Sequence, residues 1–262
     1  MQSLEAELDR ARDLRVSDLA DAIESIGFEC TRCGACCKGY DPEETEETEE
    51  TEDAPDGERE PHTATVFPDE VRELQSVTDY DWRDVARPMP YGLSENADGD
   101  LEGETFEWAL QTDSCGDCTF YEENADGVGA CSVHDDRPLI CETYPFSVVL
   151  ASEGGEGASA QGADGALGGT SQPMGEAVDE EGVVRAHECE GLGRDISRAD
   201  AEDLAQALKA RAVRELEEAI AVRDAYRPAE AEPGEVVVHD SEGAKRADGT
   251  PRSDGTARRR RE

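Results

Sequence analysis

Four cysteines crowd into eight residues near the amino terminus, and this cluster constrains the fold more than any other feature of the chain. A cysteine binds a soft metal as the thiolate, and several thiolates are buried together only when a cation offsets their charge. The cluster therefore predicts a metal-thiolate protein. Its members are Cys30, Cys33, Cys36 and Cys37, and five further cysteines follow at Cys115, Cys118, Cys131, Cys141 and Cys189.

The spacing of these cysteines supports metal binding. Cys30 to Cys33, Cys33 to Cys36 and Cys115 to Cys118 are each CxxC pairs, and two intervening residues let both sulfurs reach one tetrahedral centre. The nine thiols are enough for two four-thiolate sites. Such sites would cross-link and stabilise a chain that has few large apolar side chains. We expect the adjacent Cys36 and Cys37 to point in different directions, and to serve either two different centres or one metal and its outer shell, rather than to bind one ion together.

The cysteine pattern leaves the identity of the metal open. The bacterial ferredoxin run needs a longer gap before its fourth cysteine and a proline after it, whereas Cys36 and Cys37 are adjacent and are followed by Lys38. An iron-sulfur cluster and zinc both remain candidates. Arg32, Lys38 and Arg137 lie beside cysteines in an acidic chain, and we infer that they offset the charge of the centre through N–H···S contacts.

Acidic side chains dominate the composition. The chain has 65 Asp and Glu residues against 25 Lys and Arg, a net charge of −40 and a mean hydropathy of −0.71. Such a carboxylate surface is typical of proteins from a cytoplasm at very high salt, where its self-repulsion is screened, so we expect a halophilic source. The charge argues against nucleic acid and against an anionic membrane as partners, because both would be repelled.

The cysteines are expected to lie in a reducing cytoplasm. The first fifteen residues alternate in charge and lack the apolar segment of a secretion signal. In a reducing compartment, clustered CxxC spacing indicates metal or redox chemistry rather than a disulfide framework.

The remaining pattern predicts a small α+β domain with short strands, irregular loops around the metals and helices at both ends. We expect a single metal-binding domain over residues 1–227, with disordered insertions at about 41–60 and 152–182 and a disordered tail over 228–262. Ser197 and Asp200 should cap a long helix whose apolar residues recur every four positions. That stripe comprises Leu204, Leu208, Ala212, Leu216 and Ile220.

The motifs resemble one known family. The series begins with Cys30-x-x-Cys33-Gly-x-Cys36-Cys37. It continues with Cys118-x-Phe-Tyr, Cys131-x-x-His, Arg137-Pro-x-x-Cys141-x-x-Tyr-Pro-Phe146 and Cys189-x-Gly-x-Gly193. This series is similar to the YkgJ-type CxxCxxCC family of zinc- or iron-chelating domains. The resemblance covers roughly residues 28–193 and implies eight metal ligands: Cys30, Cys33, Cys36, Cys37, Cys118, Cys131, Cys141 and Cys189. Cys115 lies outside the family pattern, and whether Cys115, His134 or His187 binds metal stays open.

Three functions are compatible with this sequence. The favoured one is a cytoplasmic iron-sulfur or zinc protein in which the metal mainly holds the fold, and whether it also carries electrons stays open. A similar domain in flagellin lysine-N-methylases suggests a cluster-dependent methyltransferase, although the chain has no glycine-rich cofactor loop. The third is an accessory protein that loads or stores iron or zinc. The sequence does not decide whether the protein is an enzyme, and metal ions are the partners it predicts.

Overall fold

The computed structural model describes residues 3–40, 59–97, 99–150, 177–229 and 231–252. The helices are α1 Leu4–Asp13, α2 Val16–Ile26, α3 Pro68–Val77, α4 Trp82–Val85, α5 Leu139–Thr143 and α6 Arg198–Ala225. The strands are β1 Thr65–Val66, β2 Ala86–Pro88, β3 Leu93–Glu95, β4 Leu101–Thr105, β5 Trp108–Leu110, β6 Tyr121–Glu123, β7 Gly129–Cys131, β8 Phe146–Val148, β9 Ala177–Glu181, β10 Val184–His187, β11 Val236–Asp240 and β12 Gly243–Arg246. This mixture of helices and small sheets confirms the α+β class.

The chain divides into two compact units. One comprises residues 1–62 and 112–220, and the other comprises residues 63–111 and 221–262. Sequence analysis expected one domain up to residue 227. The segment between the cysteine quartet and the later cysteines forms instead a large part of a separate unit, because its strands pair with residues near the carboxyl terminus.

The first unit is built around an antiparallel sheet with the order β8–β10–β9. Its core joins side chains of α2, β8, β10 and α6, with Ile23, Phe146 and Val184 fully buried. The apolar face of α2 is generated by helical spacing of Leu19, Ile23 and Ile26. The cysteine quartet follows α2 directly, and Cys189 follows β10, so the packed core fixes where both segments begin.

Helix α6 confirms the capping and stripe predicted for it. Ser197 Oγ accepts a hydrogen bond from the Asp200 N–H at 3.2 Å and donates to the Asp200 carboxylate. Leu208 packs in the main core, and Leu216 packs against α1 in a second cluster. A buried ion pair, Arg211 Nε to Glu215 Oε1 at 2.8 Å, lies on the same helix.

The second unit contains a three-stranded sheet of order β1–β5–β2 and a four-stranded sheet of order β12–β11–β4–β3. Strand β11 pairs in parallel with β4, and β12 returns antiparallel to β11. Both tryptophans of the chain, Trp82 and Trp108, lie in this unit and make an edge-to-face contact with centroids 5.0 Å apart.

Two stretches differ from the disorder expected of them. Val236 to Asp240 and Gly243 to Arg246 are paired strands inside the expected tail, because three consecutive valines favour a strand and bury Val237 and Val238. Ala177 to Glu181, expected to be linker, is an exposed edge strand held by β10. The rest of the expected insertions, residues 41–58 and 152–176, lies outside the described residues.

Within the described ranges, none of the helices combines the length and the apolar composition that a membrane crossing requires.

Candidate metal centre

A tight turn sets the geometry of the cysteine quartet. Gly34 adopts the left-handed conformation, with φ of +80°, and a 3₁₀ turn over Ala35–Cys37 follows it. The Cys37 N–H donates to the Gly34 carbonyl at 2.8 Å. As a result, the sulfurs of Cys36 and Cys37 lie 3.8 Å apart.

The expectation that Cys36 and Cys37 point in different directions was therefore wrong, because the 3₁₀ turn places their side chains next to each other. Their separation is informative. In a tetrahedral thiolate site with Zn–S bonds of about 2.3 Å, neighbouring sulfurs lie about 3.8 Å apart. This pair thus has the spacing that two ligands of one ion require.

A hairpin brings two later cysteines to this turn. Strands β6 and β7 pair with Tyr121 opposite Cys131. The Cys118 N–H donates to the Cys37 carbonyl, and the Gly129 N–H donates to the Arg32 carbonyl, each at 2.8 Å. Backbone bonds therefore fix Cys118 and Cys131 beside the quartet.

A third segment approaches from the carboxyl side of β10. The Glu29 N–H donates to the Gly191 carbonyl at 3.0 Å, and Phe28 forms a β-bridge with Leu192. A Cβ on Gly191 would lie 2.4 Å from the Glu29 carbonyl oxygen, so only glycine allows so close an approach. Cys189, two residues earlier, is thereby held against the start of the quartet.

The same kind of local hydrogen bond occurs at three of the cysteines. The N–H two residues further along donates to the sulfur, from Phe120 to Cys118, from Val133 to Cys131 and from Gly191 to Cys189. The Gly191 contact measures 3.4 Å. Donors aimed at sulfur stabilise the thiolate and are typical of metal-binding cysteine turns.

The thiols of these segments interact electrostatically. Burial, together with the charges of Cys131 and Cys36, raises the pKa of Cys118 to about 11. Burial also raises the pKa of Cys189, with additional contributions from Cys33, Cys36 and Cys30. The hydrogen bond with Cys37 raises the pKa of Cys36 strongly, although Cys36 as a residue is exposed. The charge of Cys36 thus raises the pKa of a thiol in each of the two later segments, Cys118 and Cys189.

The thiols affect one another's ionisation. Each thiolate makes its neighbours harder to ionise, and a bound cation reverses this effect because it favours all the thiolates at once. Among the described residues, no group of three or more Cys, His, Asp or Glu side chains is arranged to bind one metal ion. None of the nine cysteines, all of which lie in the described ranges, forms a disulfide. In its chemistry, this donor set fits a soft metal ion.

A buried donor beside the thiols supports this fit. Arg137 Nε is buried and has no hydrogen-bond partner in the part of the chain that the structure describes. The positive charge of Arg137 acts on Cys36 and on Cys131, lowering the pKa of both thiols against the effect of burial. A buried N–H without an acceptor is expected where a charged acceptor binds.

The other two basic residues behave differently from the expectation that they offset charge at the centre. Lys38 donates to Glu123 Oε2 at 2.5 Å and lies 5.3 Å from the centroid of the Tyr121 ring. The side chain of Arg32 is exposed. Of the three residues, Arg137 has the clearest relation to the sulfurs.

The remaining candidates occupy varied positions. Cys141 lies half-buried in the short helix α5, where its N–H donates to the Pro138 carbonyl. Cys115 is exposed in a loop, with its N–H bonded to Asp113 Oδ1. His134 Nε2 contacts the Arg137 guanidinium. The buried His187 bonds through Nε2 to Ser147 Oγ at 2.9 Å.

Tyr144 was missed as a neighbour of the site. Burial, with the charges of Cys189, Cys36 and Cys33, raises the pKa of its phenol. Its hydroxyl donates to the carbonyl of Glu188, next to Cys189. The sequence pattern Tyr-Pro-Phe indicates packing, and nothing in it reveals that this ring lies beside thiols that are 45 to 111 residues away along the chain.

A family model matches most of the first unit's cysteine-bearing part of the chain. The family model described as "CxxCxxCC: Putative zinc- or iron-chelating domain" matches residues 29–190. No curated protein and no solved structure matches the chain.

Proposed function

The chain belongs to the CxxCxxCC family of zinc- or iron-chelating domains, and from this we propose that it is a metal-thiolate protein whose cysteines hold zinc or an iron-sulfur cluster. The family supports metal chelation in general. The finer proposal concerns which cysteines bind, what the metal does and where the protein works.

The proposed ligands are the eight cysteines of the family pattern, with Cys115 as the ninth, unused thiol. They are Cys30, Cys33, Cys36, Cys37, Cys118, Cys131, Cys141 and Cys189. One observation carries this proposal: backbone hydrogen bonds bring three segments, remote in sequence, together so that their thiols act on one another's ionisation. For Cys141 the support is the family pattern and its place four residues after Arg137.

The metal would have a structural role. When bound, it supplies the positive charge that lets several thiolates lie together, and it cross-links segments that are otherwise joined by a few backbone hydrogen bonds. An iron-sulfur cluster would add electron transfer, whereas zinc would not. The compartment we propose is a reducing cytoplasm, where clustered CxxC spacing indicates metal or redox chemistry rather than a disulfide framework.

The experiment is anaerobic purification from a high-salt host, with iron, sulfide and zinc counted per chain. A brown protein that contains iron and sulfide would identify a cluster, and a colourless protein that contains zinc would identify a structural zinc site. Cys33→Ser and Cys36→Ser should lose bound metal and most of the cooperative thermal transition. Cys115→Ser, the matched control, should keep both.

The ligand assignment would be overturned if Cys33→Ser or Cys36→Ser kept its full metal content. It would also be overturned if Cys115→Ser lost as much metal as these variants. A wild-type protein that contains neither iron nor zinc, and that takes up neither in solution, would contradict the function itself.

A further inference from the structure

Arg137 lies between strand β7 and helix α5 in the first unit. It follows the 3₁₀ turn His134–Asp136 and precedes Pro138, which begins the approach to α5. The fixed φ of proline restricts the chain on the carboxyl side of Arg137. One terminal nitrogen of its guanidinium contacts His134 Nε2.

The Nε of Arg137 is the feature to be explained. It is buried, and it finds no acceptor among the described residues. A guanidinium can form a fork of donors in a fixed plane, so holding the terminal nitrogen at His134 also fixes where Nε–H points. Leaving a buried donor unsatisfied is costly, and the cost is removed if a charged acceptor is present.

Thiols are available nearby. The charge of Arg137 acts on the sulfurs of Cys36 and Cys131, which belong to different segments of the site. Cys36 comes from the quartet and Cys131 from the hairpin strand β7. Arg137 is therefore placed to interact with both sides of the proposed centre.

We infer that Arg137 is a positioning residue of the metal centre, whose Nε–H donates to thiolate sulfur when the metal is bound. This inference rests on the proposed metal-binding function and extends it to a specific residue that is not a ligand. Its contribution is a directed hydrogen bond in addition to a positive charge. Outer-shell partners of this kind commonly hold a ligand in its binding orientation.

The test is anaerobic titration of the full-length, metal-free protein with Co²⁺ at high salt, which reports thiolate binding by sulfur-to-cobalt charge-transfer absorption. We compare wild type with Arg137→Gln, Arg137→Lys and Arg32→Gln. Arg32 is the matched control, because it is an exposed arginine between Cys30 and Cys33. Circular dichroism checks that each variant keeps its helices.

Arg137→Gln should weaken Co²⁺ binding by about tenfold to a hundredfold while the charge-transfer intensity at saturation stays at the wild-type level. Arg137→Lys, which keeps the charge but lacks Nε–H, should also bind Co²⁺ more weakly than wild type. Arg32→Gln should bind as wild type does. If Arg137→Gln does not fold, Arg137→Lys carries the test.

Several results would overturn the inference. Wild-type affinity in Arg137→Lys would mean that charge alone matters, and equal losses in Arg137→Gln and Arg32→Gln would mean that any nearby arginine suffices. A lower saturating intensity in Arg137→Gln would mean that ligands are lost. If wild type itself shows no charge-transfer absorption, the proposed metal site fails, and this result is distinct from a failure confined to the Arg137 variants.

Discussion

Replacing Gly34 by alanine tests whether the β6–β7 hairpin must pack onto the cysteine turn. An added Cβ would lie 2.2 Å from the hydroxyl oxygen of Tyr121 and 2.6 Å from its Cζ atom. Neither contact can persist, so the ring must move. Tyr121 donates to Glu123 Oε2 at 2.6 Å and lies under the Lys38 ammonium, and moving the ring disrupts both contacts.

The magnitude follows from two separable costs. Alanine in the left-handed conformation costs about 1–2 kcal/mol, and overpacking against Tyr121 adds about 1–3 kcal/mol. Gly34→Ala should therefore lower the free energy of unfolding by about 2–5 kcal/mol. Gly193→Ala is the matched control: the φ of Gly193 is +74°, and no atom of the described residues lies within 4 Å of the added Cβ. It should show only the backbone cost.

The assay is urea unfolding of the metal-loaded protein at constant high salt, followed by far-ultraviolet circular dichroism. A double-mutant cycle with Tyr121→Ala should remove the extra cost of Gly34→Ala, because the obstructing ring is gone. Equal destabilisation by Gly34→Ala and Gly193→Ala would refute the packing argument. So would an unchanged cost of Gly34→Ala in the Tyr121→Ala background.

Three further predictions concern stability. The hydrogen bond from Arg72 lowers the pKa of Glu242 from 4.5 to about 2; this pair therefore stabilises the fold above about pH 4.5, and the contribution is lost as pH falls towards 2. Glu242→Gln should weaken the dependence of the free energy of unfolding on pH in that range. Tryptophan fluorescence can report the unfolding because both tryptophans lie in the second unit. An unchanged pH dependence would contradict the assignment. Glu215→Ala, which removes the carboxylate of the buried pair with Arg211, should cost about 3–5 kcal/mol in thermal or urea unfolding. Its control, Glu217→Ala on the same helix, loses an exposed pair and should cost less than about 1 kcal/mol; equal costs would count against the burial argument. Finally, the net charge of −40 predicts that the urea midpoint rises with KCl concentration as repulsion is screened; a midpoint independent of salt would rule out charge repulsion as a major cost.

The sequence predicted the elements whose pattern is local. The α6 stripe and its Ser197 cap are examples, because helical spacing and capping depend on residues a few positions apart. The strand pairing of Val236 to Val238 with β4 was not predicted, since the partner lies more than 130 residues earlier in the chain. Local composition, rich in glycine, proline and charge, indicated a disordered tail there and concealed a short β-branched run.

For the candidate site, spacing and motif indicated which cysteines are candidate ligands, but they did not indicate how these cysteines are arranged in space. The side-by-side placement of Cys36 and Cys37 depends on the left-handed Gly34 and the 3₁₀ turn after it. General backbone preferences for adjacent residues led to the opposite expectation. The position of Tyr144 beside three cysteines depends on how β8 and β10 pack, which no local motif encodes.

By itself, the sequence determined the chemistry of this protein: nine soft donors, a surface dominated by carboxylates and an arginine next to the Pro-x-x-Cys motif. These are properties of the side chains and do not depend on how the chain folds. The tertiary structure decided which cysteine-bearing segments lie next to one another, because the approach of the Cys118, Cys131 and Cys189 segments to the quartet arises from long-range hydrogen bonds and core packing. It also decided that Arg137 Nε is buried with no acceptor among the described residues, since burial is a property of the packed chain.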